Sequence, residues 1–460
     1  MSLGFKAAGA RCLGAVDAEA TAAATLAQTL REDEPVVFGG ARGDVNDLPV
    51  EKLLSTLAAP PDLIIGGPPC QGFSRIGRAK HASLLDSQSR ALLGGQADPR
   101  RNQLYRYFLA SVAKANPLAF VMENVPGMQS LLGVDHAVRI SREAASLGYN
   151  VRYFLLDAAW YGVPQHRWRL FFVGFRRDLG AFSVPRPPTR QYLSAHDPGE
   201  FRTLPDDDWF IHGPDIPTAE GAPPPNTVQD AFADLPRMRG HLKGDRPTPG
   251  EKPYRRPPAS PFASLMRNWP GAGDEQPTTD GAWYRSNERD FATFRDMNPG
   301  DRYPEALAIA NRRFQEHIRS LGPNAPAIGS VDFADLEAQF VPPYRNDAFH
   351  DKWRKLVPER PSWTVTAHLG KDGYSHIHPD GRQARTISIR EAARLQSFPD
   401  HVRFTGNNGQ QFKQIGNAVP PLLAWAIADS VLSQLADLGA LGDWRPHPLP
   451  TPSANTAPGS

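Results

Sequence analysis

The sequence predicts an α/β protein, a mostly parallel sheet covered on both faces by helices, followed by a second, irregular domain. Three observations carry this. Short apolar runs such as Asp62–Ile65 and Leu118–Met122 read as strands buried on both faces, with helical stretches between them. The alternation stops near Arg176, and Pro, Gly, Asp and Arg then dominate as far as Gln383. Two helical segments follow, Ser388–Gln396 and Pro420–Leu438, too small to fold alone and so expected to return to the first domain.

In chain order, Ser2–Ala10 is a short helical pattern and Arg11–Val16 a strand ending at Asp17. Ala20–Leu30 is Ala-rich and helical, and Pro35–Phe38 is an apolar run ahead of Gly43-Asp44-Val45. Asp62–Ile65 leads into Gly66-Gly67-Pro68-Pro69-Cys70. Gln103–Ala115 has helical periodicity, and Leu118–Met122 ends at Glu123-Asn124. Ala137–Leu147 is helical; Val151–Leu156 and Arg169–Phe175 are strands. Ligands of such sheets bind beyond the carboxyl ends of the strands. Asp17, Asp44, Cys70 and Glu123 all fall at or just after a predicted strand end.

Composition narrows the function. With 460 residues, 40% hydrophobic and 22% charged, the chain has material for two to three globular units. A formal net charge of +2 does not suggest a nonspecific polyanion binder, so any nucleic-acid contact must come from local clusters. Cys12 and Cys70, the only two cysteines, make no disulfide framework and point to a reducing, cytoplasmic compartment. No signal peptide is visible, no apolar run approaches the roughly 18–20 residues that cross a bilayer, and no membrane partner is expected. The Pro-rich tail from Pro446 is expected to be disordered.

The chemistry concentrates at Gly66–Ser74, where a cysteine follows two prolines at the end of a buried strand; the prolines stiffen the turn and fix the direction of the thiol. This segment resembles the Pro-Cys motif of the DNA (cytosine-5)-methyltransferase family. Further motifs stand in the family's order: Met122-Glu-Asn-Val125, Gln165-His-Arg-Trp-Arg169, Arg390–Asp400 and Gln414-Ile-Gly-Asn-Ala-Val-Pro-Pro421. The resemblance covers most of residues 1 to 177 and about 353 to 430.

It implies a Rossmann-like S-adenosylmethionine-dependent methyltransferase domain (1–177), a smaller target-recognition domain (178–385), a returning C-terminal segment (386–440) and a tail (441–460). Cytosine C5 is a poor nucleophile, and a thiolate added at C6 makes it enamine-like. The resemblance gives that addition to Cys70, protonation or hydrogen bonding at N3 to Glu123, and the holding of the base or of Glu123 to Arg167 and Arg169. S-adenosyl-L-methionine would be bound by Asp17, Asp44, Val45, Pro69, Leu104, Asn417 and Val419. Double-stranded DNA would meet Gln71, Ser74, Arg75, Gln165, Arg394 and Gln414, with the target base flipped out of the stack. Aromatic and basic residues interleave in the irregular domain (Arg267, Trp269, Trp283, Tyr284, Trp353, Lys355 among them), a mixture suited to phosphate contacts and base reading.

One feature departs from the family, which opens with a strand and a Gly-rich turn. This chain starts at Met1-Ser-Leu-Gly-Phe5, similar to the residues just after that turn. A coding start upstream is therefore expected; a chain beginning at Met1 would bind the cofactor weakly and have a damaged sheet. The rival readings are an RNA cytosine-5 methyltransferase, a catalytically impaired DNA-binding protein and a thiol hydrolase using Cys70 with His166. A monomer in a restriction–modification system, with a cognate endonuclease, is the expected setting.

Overall fold

The computed structural model describes residues 1–30, 36–39, 50–57, 59–68, 104–128, 130–131, 134–179, 207–211, 224–344, 352–442 and 444–449. Two compact units emerge, Met1–Pro225 with Val419–Ser453, and Asn226–Ala418.

The first unit is built on strands. Helix α1 (Ser2–Ala7) precedes β1 (Gly14–Asp17), α2 (Ala20–Leu30), β2 (Val36–Gly39), α3 (Val50–Thr56) and β3 (Leu63–Gly66). Then come α4 (Tyr105–Ala115), β4 (Ala119–Asn124), a small hairpin β5–β6 (Ser130–Leu131, Val134–Asp135) and α5 (His136–Ser146). Strands β7 (Tyr149–Asp157), β8 (Trp168–Arg176) and β9 (Phe210–Ile211) complete it. The main sheet has the order β3-β4-β8-β7-β9. Strands β3, β4, β7 and β9 run one way, and β8 alone runs against them, which makes the sheet mostly parallel as predicted. Strands β1 and β2 pair in parallel. Among the described residues no ladder joins β1 to β3, so each has one neighbour.

The sheet's core is aromatic. Phe120 packs edge-on against Tyr149, ring centroids 5.3 Å apart, and its ring lies where Gly174 of β8 would carry a Cβ, so only glycine fits there. Tyr149 donates its hydroxyl to Pro117 O at 2.8 Å. Helix α4 adds Tyr105, Leu109 and Val112 to the same cluster, spaced as one helix face.

The second unit holds α6 (Val228–Phe232), α7 (Pro261–Arg267), α8 (Glu288–Asp296), α9 (Tyr303–Leu321), α10 (Val331–Ala338), α11 (Ile389–Leu395) and α12 (Asn408–Asn417). Its only described sheet is the two-stranded β10–β11 (Lys252–Pro253, Thr278–Thr279). Buried ion pairs knit the helices together. Arg394 donates to Asp400 at 2.6 and 2.5 Å and to Asp234 at 3.1 Å. Asp234 also takes Arg267 at 2.9 Å. Arg385 grips Glu391 with two bonds of 2.7 Å.

The chain then returns to the first unit as α13 (Pro421–Asp437). Gly4 of α1 sits so close to the backbone of Pro421, Ala424 and Trp425 that any side chain would collide.

Several expectations change. The second unit begins near residue 226 rather than 178 and runs to 418 rather than 385, because α11 is bound to α6 through Arg394, Asp234 and the Ala231 carbonyl. Only the segment from Val419 returns. The tail is in part ordered: Trp444 donates to Ala8 O and Trp425 to His447 O, each at 3.2 Å. By length and composition Asn408–Asp437 passes for a membrane span after all, yet 78% of its most apolar window is buried in the protein. Many residues expected on DNA are core: Arg267, Trp269, Tyr284, Trp353 and Lys355 are all buried. Trp353 stacks on Tyr374 at 5.0 Å, and Lys355 Nζ donates to the carbonyls of Phe294 and Met297 at the end of α8.

Candidate active site

The site forms at the carboxyl ends of β3 and β4, which lie side by side. Strand β4 delivers Glu123 and Asn124; β3 delivers Gly66, then the Gly67-Pro68 turn. The two ends are tied. Asn124, almost fully buried, donates Nδ2 to Pro68 O at 3.2 Å and accepts the Val125 N–H at 2.9 Å. A Cβ on Gly67 would stand 3.0 Å from Glu123 Oε2, so glycine lets this turn reach the carboxylate.

Arg169, at the start of β8, pairs its Nε with Glu123 Oε1 at 2.8 Å, with both side chains mostly buried. Its Nη1 donates to Trp168 O at 2.7 Å, which fixes the guanidinium. The turn before β8 is organised by Asp157, fully buried at the end of β7. Its carboxylate accepts from the backbone of Ala159 at 3.2 Å and Arg167 at 2.9 Å, with His166 Nδ1 2.7 Å away. Asp157 was not singled out from the sequence, and Asn124 stood there only as part of the Met122–Val125 motif, with no role given to it. The signal was present: both are polar residues at strand ends, in the pattern that flagged Glu123.

The predicted residues distribute as follows. Glu123 and Arg169 are brought together. Arg167 is fully buried and held through its backbone by Asp157. Gln165 is also fully buried. Asp17 ends β1 and is exposed, accepting the Glu19 N–H at 2.7 Å. Leu104 stands half-buried at the cap of α4. In the second unit, Gln414 donates Nε2 to Thr405 O at 2.9 Å, and Asn417 is exposed at the end of α12. Gln396 places that end, donating to Ile415 O at 2.9 Å and Ala418 O at 2.8 Å. Val419 is buried where the chain re-enters the first unit. Arg394 requires correction: it has no exposed surface, and its guanidinium lies between Asp234 and Asp400, so it braces the second unit instead of meeting DNA. Asp44, Val45, Pro69, Cys70, Gln71, Ser74 and Arg75 lie outside the described residues.

A cofactor with ribose hydroxyls suits an exposed carboxylate at a strand end, as Asp17 is, and the Gly66-Gly67 turn offers backbone without side chains. The mostly parallel sheet has the Rossmann-like arrangement found in S-adenosylmethionine-dependent methyltransferases, and the match to a family model gives the class. The chain belongs to the C-5 cytosine-specific DNA methylase family, whose family model matches residues 1–209 and 301–433. The Oceanobacillus iheyensis protein M.OihORF3336P, provisionally named a type II methyltransferase, is 34% identical over 94% of this chain and 92% of its own length. The type II methyltransferase M.AgeI of Thalassovita gelatinovora is 31% identical over 93% and 95%. A crystal structure of a DNA modification methyltransferase, provisionally so named and encoded within an E. coli prophage, overlays with a TM-score of 0.61 at 21% identity, covering 95% of this chain and 96% of that one. S-adenosyl-L-methionine is the methyl donor of the family.

Proposed function

We propose that Cys70 is the nucleophile and Glu123 the acid of cytosine C5 methylation in duplex DNA. The observation that carries this is the tie between the cysteine-bearing turn and the carboxylate: Asn124 holds Pro68 O, and Gly67 lies against Glu123. In the sequence Cys70 follows Pro68 by two residues.

In this reading the Cys70 thiolate adds to C6 of a flipped-out cytosine while Glu123 answers the charge at N3. Arg169 orients the carboxylate. Bound S-adenosylmethionine supplies an electrophilic methyl group on a sulfonium. C5 forms its new bond to that methyl as the sulfonium sulfur leaves with the bonding pair. Water then takes the C5 proton, and that electron pair expels Cys70 as thiolate. Asp17 and Leu104 would contact the cofactor, with Asp44, Val45, Pro69, Asn417 and Val419 completing its site. Gln71, Ser74, Arg75 and Gln414 would approach DNA, and Gln165 and Arg167 would support that wall from within. The names of the relatives favour DNA over RNA and a type II setting; to the same reading belong self-marking in a restriction–modification system inside the cell, a cognate endonuclease and a monomeric enzyme.

Bisulfite sequencing of DNA from cells expressing the protein tests the reading. Cytosines at a fixed sequence should be protected, and Cys70→Ser should abolish the protection. Near-normal protection by that variant would remove Cys70 from the mechanism.

A further inference from the structure

Within Asn226–Ala418 an open cavity of about 310 Å3 has a buried floor and a basic rim. Phe232, His378, Gln383 and Glu391 make the floor. Phe232 and His378 are stacked, centroids 5.7 Å apart. Burial, followed by the charge of Arg385, keeps His378 below its ordinary pKa and so neutral. The Glu391 carboxylate is occupied by Arg385. The floor therefore offers a flat, neutral surface.

The rim carries Arg237, Arg255, Arg256 and Arg382, all exposed. Arg382 pairs with Asp380 at 2.9 Å, and Arg256 donates Nε to the Ala233 carbonyl at 2.9 Å. Arg237 and Arg255 make no ion pair and no side-chain hydrogen bond among the described residues. Desolvation and the charges of Arg237, Arg256 and Arg382 push Arg255 down, with Asp380 alone opposing them. Four guanidiniums thus gather around one mouth with a single nearby carboxylate not already enclosed. Such a cluster is unfavourable by itself and becomes favourable when an anion sits in it. Guanidinium forks match phosphate oxygens in pairs.

We infer that this pocket is a clamp for the phosphodiester backbone of duplex DNA, with Arg237 and Arg255 as its principal contacts. Arg237, Arg255 and Arg256 stand in residues 210–300, which the family model leaves unmatched. The inference rests on the reading of the chain as a DNA methyltransferase, whose substrate brings phosphates to the recognition unit. A free phosphate shares the chemistry, and the test separates the two sources.

The test is a fluorescence-anisotropy titration of a duplex by the full-length protein and by Arg237→Gln/Arg255→Gln at several salt concentrations. Both side chains are exposed and, among the described residues, unpaired, and an unchanged melting temperature certifies the fold. Losing two phosphate contacts should make the slope of log affinity on log salt shallower by about 2, and weaken binding about ten- to a hundredfold near 0.1 M salt. The loss should be equal for cognate and unrelated duplexes and should fall on KM more than on kcat. Arg237→Lys/Arg255→Lys should restore most of the slope. An unchanged slope in the folded Gln variant overturns the clamp. So does inorganic phosphate raising the melting temperature of the wild type alone while the slope stays the same, which would make this a free-anion pocket. Absence of methyl transfer by the wild type would instead count against the catalytic reading and leave the clamp to be judged by its slope.

Discussion

Glu123 is useful as an acid only if its carboxyl group is aimed, and two side chains do the aiming. Arg169 holds one oxygen at 2.8 Å, and Asn124 holds the turn that abuts the other. Arg169→Ala should lower kcat about a hundredfold, within the range of a lost acid–base group, with Arg169→Lys recovering part of it. Rapid-quench methylation measures this, and a change confined to KM would mean that Arg169 only binds DNA. Asn124→Ala removes a buried hydrogen bond and should cost about 1–2 kcal/mol in urea unfolding. It should also cost turnover, because the turn carrying Cys70 is no longer tethered. Full kcat at reduced stability would deny Asn124 a positioning role. Glu123 was legible in the sequence because it ends an apolar strand and stands in Met122–Val125, which resembles a motif of the family. Asp157 and the Asn124 contact were not, because they matter through backbone groups on other strands.

At the scale of elements, the motif helix α11 works through burial. Arg390, Glu391 and Arg394 are nearly or fully enclosed and bond to Asp280, Arg385, and Asp234 with Asp400. Removing Arg394 strands two buried carboxylates that retain only part of their partners. Arg394→Met should destabilise the protein by about 3 kcal/mol. The salt slope of DNA binding should stay the same in the folded variant at low temperature; a slope shallower by about 1 would return Arg394 to the DNA surface. The sequence showed α11 clearly, with Ser388 and Glu391 forming a capping box. Helix α12 was quoted as a motif but not read as a helix, since Gly409 and Gly416 lower its propensity. Gly416 is there for packing: its Cβ would strike the backbone of Thr366 and Ala367, whereas a Cβ at Gly409 would meet only ordinary contacts. The aromatic residues of the second unit were misread as surface because pattern alone cannot tell which face of an irregular chain is inside.

Across the whole molecule, acid should unfold the second unit early. Burial pushes His376 down to about 3, so the folded protein keeps it neutral while the unfolded chain protonates it below its ordinary value. Stability from this group is lost as pH falls from about 6.5 toward 3. Asp400, held down to about 2 chiefly by Arg394 against its own desolvation, adds a loss as pH falls from its ordinary value of 3.8 toward 2. Lys355, lowered to about 8 by burial, acts at the other end, and stability should rise as pH climbs from about 8 toward 10.5. Melting temperatures should therefore fall below about pH 6.5, and His376→Gln should flatten that limb. An unchanged limb in the variant would clear His376. At this scale the sheet, its strand ends and the returning helix were readable from apolar runs. The unit boundaries were not, because ion pairs between distant residues draw them.

The most direct measurement is covalent trapping on a duplex carrying 5-fluorocytosine at the target position. Fluorine cannot leave as a proton does, so an enzyme that adds a thiolate to C6 and methylates C5 stays attached. A denaturant-stable complex with wild-type protein, dependent on S-adenosylmethionine and mapped by mass spectrometry to Cys70, is the predicted result. A complex that forms with Cys70→Ser, or methyl transfer by the wild type with no trapped species at all, would contradict it.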